Sequence, residues 1–271
     1  MDDARFLTAC RLQDEGKFRE AFDEFVKLAD DTENPIDKGG VLLNAATTLS
    51  ALGEYDRATE QLNAIRMLVP SFAPSPSEER DTRPLELEID ISIEEANIYR
   101  YQGKAEEALD RLSDLLDRHR NTLSQPDFRK AYEIIQTRRA FLLVDLGRWR
   151  EAWPILEEAQ SFEEPKEMIA FYLGHCYLAA QEYIKAEQKL TESLRLGLPD
   201  YLQYRAHCEL GTALYMLKDY RQAKEEFEKS VETADPGYIK QSKIWKWLEN
   251  TCRNLGLRDE AERFARLARP S

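Results

Sequence analysis

Apolar and polar positions along this chain recur as a phrase. A small turn residue is followed two positions later by an aromatic and five positions later by an alanine. The phrase reads G-K-F-R-E-A from Gly16, G-E-Y-D-R-A from Gly53 and G-R-W-R-E-A from Gly147. It returns as Q-E-Y-I-K-A from Gln181 and K-D-Y-R-Q-A from Lys218, with weaker copies G-K-A-E-E-A from Gly103 and G-L-R-D-E-A from Gly256. Nine positions after the turn residue stand Phe25, Leu62, Leu112, Leu156, Leu190 and Phe227. They lie one helical turn past the alanine, on the same apolar stripe. The phrase therefore predicts the end of one helix, a left-handed turn that is cheap for glycine, and the start of a second helix.

The seven turn residues are 37, 50, 44, 34, 37 and 38 positions apart. Each period has room for two ordinary helices and two turns. A fixed period of this length defines a helical repeat array, so the expected fold is all-α, an α-solenoid of stacked antiparallel helix pairs with about 14 helices. Residues 1–271 read as one such solenoid. Pro70, Pro165, Pro199 and Pro236 fall near repeat ends, where they stop one helix running into the next. Helix starts are expected at Ser124 or Asp127, at Asp200, and at Asp235 with Pro236 just inside. The main interruption is V-P-S-F-A-P-S-P-S-E-E-R-D-T-R-P, residues 69–84, read as a Pro-rich loop between repeats two and three. A second extension, H-R-N-T-L-S-Q-P-D, precedes repeat four.

The first helices carry a matching signature. Repeat five reads A-F-Y-L-G-H-C-Y before Gln181, and repeat six reads E-L-G-T-A-L before Lys218. Repeat seven places Trp245 and Leu248 at the equivalent Trp and Leu positions. With the turn phrase, this resembles the tetratricopeptide repeat family across nearly the whole chain. Repeats five and six match best. Ala105 and Arg258 depart from it at the aromatic position. The resemblance implies a right-handed superhelix whose first helices line a concave groove that holds a peptide or helix of a partner protein.

On that reading, groove residues stand 13, 10, 6 and 3 positions before each turn residue, one stripe of a helix. Repeat seven offers Lys243, Lys246, Asn250 and Arg253, with Lys240 one turn earlier, and repeat six offers Arg205, Cys208, Thr212 and Tyr215. Together they predict a basic C-terminal end suited to a carboxylate or an acidic segment. Repeat three gives Asn97 and Arg100, repeat four Phe141, and repeat five Met168, Phe171 and His175. The apolar members predict a contact strip in the middle of the groove. Co-chaperones of the family grip a carboxylate with Lys and Asn on one repeat and Asn on the next. Here Lys246 and Asn250 match the first pair and Asn44 the second element, but Phe6 and Cys10 stand where the pair before Asn44 should be. The full clamp is absent.

Composition narrows the function. A net charge of −13 argues against general nucleic-acid binding. Residues 236–271 hold eight Lys or Arg against four Asp or Glu, so the rest carries a net −17. No window is long and apolar enough for a membrane helix. The start, M-D-D-A-R-F, lacks the basic and apolar regions of a secretory signal, and a cytoplasmic location is expected. Four scattered cysteines suit free thiols. The histidines His119, His175 and His207 lack the paired spacing of a zinc site, so no metal or cofactor is expected. No phosphate-loop, dinucleotide-loop or serine-elbow motif occurs, and the chain does not read as an enzyme. The leading reading is a protein-interaction scaffold. The alternatives are a ligand- or peptide-responsive regulator and a homo-oligomer built head to tail between the acidic body and the basic end.

Overall fold

A computed structural model describes residues 3–69, 82–162, 165–234 and 243–268. Among these, fifteen α-helices and one 3-10 turn occur. They are α1 (Asp3–Asp14), α2 (Phe18–Asp30), α3 (Pro35–Ala51), α4 (Tyr55–Leu68), α5 (Arg83–Tyr101), α6 (Ala105–Arg118), α7 (Arg120–Leu123) and, after the 3-10 turn Pro126–Phe128, α8 (Arg129–Asp145). The chain continues with α9 (Trp149–Ala159), α10 (Lys166–Ala179), α11 (Tyr183–Arg195), α12 (Asp200–Met216), α13 (Tyr220–Thr233), α14 (Ile244–Asn254) and α15 (Arg258–Leu267). Fourteen are full helices. The extra one, α7, is a single turn within the extension before repeat four.

The turn phrase dictates the hairpins. All seven predicted turn residues have a left-handed backbone, with φ between 64° and 76°, and these include the non-glycines Gln181 and Lys218. Each turn closes with the same pair of hydrogen bonds. At the first, Gly16 N donates to Gln13 O and Lys17 N to Leu12 O. At the fifth, Gln181 N donates to Leu178 O and Glu182 N to Tyr177 O. This pair satisfies carbonyls that a helix end otherwise leaves open. The second helix begins two residues later in every copy, at Phe18, Tyr55, Ala105, Trp149, Tyr183, Tyr220 and Arg258.

Packing within each hairpin follows a small-against-large rule. The alanines five positions after the turn (Ala21, Ala58, Ala108, Ala152, Ala186 and Ala223) are fully buried. So are Phe25, Leu62, Leu112, Leu156, Leu190 and Phe227. Seven positions before the turn the first helices place Ala9, Ala46, Ala96, Ala140, Gly174 and Gly211. A Cβ on Gly174 would lie 2.6 Å from Leu190 Cγ, and one on Gly211 2.7 Å from the Phe227 ring. Repeat seven inverts the rule. It has Glu249 at the small position and Ala265 at the bulky one.

Helix starts fall close to expectation where they are described. α12 begins at Asp200, and α3 is capped by Asn34, whose side chain accepts from Ile36 N and Asp37 N. α8 begins at Arg129, after the 3-10 turn that contains Asp127. α5 starts at Arg83, inside the segment read as loop. Pro84 sits in its first turn, where a missing N–H costs nothing. The rest of the Pro-rich segment, the start at Asp235 with Pro236, and Lys240 lie outside the described residues. The chain divides into two compact units, 1–142 and 143–271, described in turn below. The cysteines are free, and burial pushes the Cys176 thiol up to about 12 and the Cys252 thiol up to about 11. Both are packing residues without nucleophilic character at neutral pH.

Candidate interaction surface

In the first unit, Asn97 and Arg100 of α5 and Phe141 of α8 come together around a dimple of about 10 Å³, roughly one water molecule in size. Arg138, one register away, completes the rim. Phe141 itself is 1% exposed, so it forms a floor and not an open contact strip. Beside the dimple, Glu94 is buried and accepts from Ser50 Oγ at 2.6 Å and Asn97 Nδ2 at 3.3 Å. Burial raises its pKa, while the Ser50 and Asn97 hydrogen bonds and the Arg138 charge pull it down. Glu95, the next residue and about 100° round the same helix, is held between Arg66 and Arg111.

In the second unit, Phe171 is fully buried and Met168 is 5% exposed, which closes the rest of the expected apolar strip. The Arg205 guanidinium lies over the Phe171 ring, 5.2 Å from its centroid, and Tyr172 meets the ring edge-on. Large aromatics at this register fill the space around the first helices and do not face solvent. Arg205 is itself engaged. It reaches Asp145 at 3.3 Å and Glu209 at 3.6 Å, and Glu209 Oε1 also lies 2.9 Å from His175 Nδ1. His175 and Arg205 are therefore parts of one ionic cluster. The Glu209 Oε2 atom is buried and has no hydrogen-bond partner among the described residues.

The basic end takes a different form from the one expected. Lys243 is exposed at the start of α14 and Asn250 is half-buried. Lys246 Nζ lies 2.9 Å from Glu249 Oε2, and Arg253 Nη2 lies 2.7 Å from Glu249 Oε1. The buried Glu249 thus neutralises part of the charge, and the Lys246 hydrogen bond holds its carboxyl below the usual range despite burial. Tyr215 packs edge-on against Tyr220 and Trp247, and its hydroxyl accepts from Asn254 Nδ2 at 3.1 Å. It is a junction residue between repeats six and seven.

Two signals escaped the register reading. Nine positions before the turn stand Glu94, Arg138, Tyr172 and Glu209, which with Asn44 make the five middle repeats polar at this register, while Leu7 and Trp247 hold it in the end repeats. The other is Glu249, a charge at a position where six copies carry Ala or Gly.

Neither a family model nor a curated protein matches the chain. Solved structures do. A structure from a functional characterisation of Pseudomonas aeruginosa PilF matches with a TM-score of 0.60 at 14% identity, over 85% of this chain and 90% of that one. The Cut9–Hcn1 hetero-tetramer of the APC/C matches with a TM-score of 0.68 at 12% identity, over 99% of this chain and 46% of that one. A point mutant of MamA matches with a TM-score of 0.50 at 16% identity, over 68% of this chain and 96% of that one. The fold is the helical-repeat solenoid of tetratricopeptide proteins. No described helix is long and apolar enough to cross a membrane.

Proposed function

We propose that this chain is a protein-interaction scaffold that holds a peptide or helix of its partner along the first-helix face, with an acidic group of that partner at Asn97, Arg100 and Arg138. The observation that carries the reading is this cationic rim. Two guanidiniums and an amide donor converge over an apolar floor, a donor set matched to a carboxylate. Glu94, buried beside the rim, accepts from Ser50 and Asn97 and lies within the field of Arg138, so it offsets part of the rim's positive charge. The second unit, taken by itself, carries a weaker cationic patch, with Lys243, Lys246 and Arg253 against Glu249, and Asn250 as an amide. Phe141 floors the rim in the first unit; in the second, Phe171 lies buried under the Arg205 guanidinium, His175 belongs to the Arg205–Glu209 cluster, and Tyr215 packs on Trp247. Assembly with another protein, as in the Cut9–Hcn1 hetero-tetramer, is in keeping with the fold, though the fold alone does not assign a partner.

Photo-crosslinking tests this. A benzophenone amino acid at Asn97 should capture a discrete partner, and the same residue at the exposed Asp110 of α6 should not. Arg100→Glu with Arg138→Glu should weaken capture at least tenfold and reduce its salt sensitivity. Capture only from Asp110, or capture indifferent to both charge reversals, would overturn the reading.

A further inference from the structure

The Ser50 hydroxyl has two acceptors and a single hydrogen to give them. Its Oγ lies 2.6 Å from Glu94 Oε1 and 3.2 Å from Ala46 O. With Glu94 ionised, Ser50 donates to the carboxylate and has nothing left for Ala46 O. With Glu94 protonated, the acid donates to Ser50 Oγ, and Ser50 donates to Ala46 O. Asn97 Nδ2 donates to Glu94 Oε2 at 3.3 Å in either state. One set of heavy-atom positions therefore serves both protonation states, and the neutral one makes one more hydrogen bond.

The surroundings bring the two states within reach of each other. Ser50 and Glu94 are 8% and 7% exposed, and burial pushes the Glu94 carboxyl above its usual range. Each helix around Glu94 presents a distinct group. Ser50 faces it from α3, and Arg138 of α8 is the cation whose charge reaches it. Arg66 of α4 and Arg111 of α6 are turned to Glu95 instead. On α5 itself, Asp90 stands one turn before it and Asn97 one turn after. Arg138 is also one of the two guanidiniums at the rim. An ionised Glu94 draws on its charge, and a neutral Glu94 does not.

Resting on the carboxylate reading of the rim, we propose that Glu94 is a proton-operated control of partner binding: once it is neutral and donating to Ser50, Arg138 is released to the partner's carboxylate. Binding then takes up a proton. It strengthens as pH falls, for as long as the partner's own carboxylate, with an ordinary value of about 4, stays ionised. The coupling is reciprocal, so an anion on the rim must also make Glu94 easier to protonate.

The probe is trifluoroacetate, a carboxylate that stays ionised throughout. It is titrated into the full chain near pH 7 and near pH 5, at constant ionic strength, and followed by fluorine NMR. Wild type should bind at least threefold more tightly near pH 5. Glu94→Gln, neutral at both, should bind at the tighter level at both. In carboxyl NMR, saturating probe should raise the Glu94 titration midpoint by about half a unit, the counterpart of a threefold gain. Wild-type pH dependence retained in Glu94→Gln, or a Glu94 midpoint that the bound probe does not move, would overturn the proposal and leave the rim standing. No saturable binding, or binding indifferent to Arg100→Glu with Arg138→Glu, would overturn the rim reading and this proposal together.

Discussion

Gln181 and Lys218 hold a backbone conformation that a side-chain β-carbon disfavours by roughly 1–2 kcal/mol. Their neighbours enforce it. The carbonyls of Leu178 and Tyr177 take the Gln181 and Glu182 N–H groups, and those of Tyr215 and Leu214 take Lys218 and Asp219. Gln181→Gly should therefore stabilise the protein by about 1 kcal/mol in urea denaturation. The reverse change at a matched turn, Gly147→Gln, should cost about as much. Equal midpoints for wild type and Gln181→Gly would mean that the turn carries no strain. Both positions were legible in the sequence although neither is glycine, because the aromatic and alanine that follow complete the phrase. Glu249 was harder to interpret. Its lone departure from the small residues at its register is plain in the sequence, but its grip on both Lys246 and Arg253 depends on side-chain geometry that no spacing reveals.

At the level of the helix, two carboxylates of opposite character make α5 and α14 respond differently to acid. Glu94 has its pKa raised, chiefly by burial. A raised acid favours the folded state while it is protonated. Its effect is greatest below the ordinary carboxyl range and is lost as pH rises through the raised folded value. Glu249 has its pKa lowered, chiefly by the hydrogen bond from Lys246. Its contribution is present above the ordinary carboxyl value and is lost as pH falls through the depressed folded one. Glu94→Gln should accordingly gain stability at pH 7 and lose that advantage toward pH 4. Glu249→Gln should lose stability at pH 7, with the deficit narrowing below about pH 4. Denaturation series across this range would show parallel curves if neither carboxylate were coupled to folding. The helix boundaries behind these sites follow from the turn phrase. The facing side chains follow less well: a stripe assumed at 13, 10, 6 and 3 left out the adjacent column with Glu94, Arg138 and Glu209, and it counted Phe141 and Phe171 as surface. A helix face read as four positions is narrower than the arc its neighbours cover.

Over the whole molecule, repeats pack mainly on their sequence neighbours, so damage should stay near its origin. Gly174→Ala would press a methyl onto Leu190. It should cost about 1–3 kcal/mol by overpacking. In hydrogen exchange, protection should fall in α10, α11 and the adjoining α9 and α12, while α2, α3 and α4 keep theirs. A uniform loss across every helix would show one cooperative body and contradict repeat-wise stability. Charge is also unevenly placed along the chain, with a net −17 before residue 236 and a positive surplus after it. The turns, finally, make length a free variable. The chain passes through one backbone state at each period boundary, so Gln181 and Lys218 are equivalent splice points. Excising residues 182–218 joins Gln181 to Asp219 with the left-handed turn intact, and removes one whole module. Excisions that do not run from one turn residue to another would join unlike conformations. The array is thus open to shortening or duplication by whole periods, a grammar in which the turn serves as the punctuation mark.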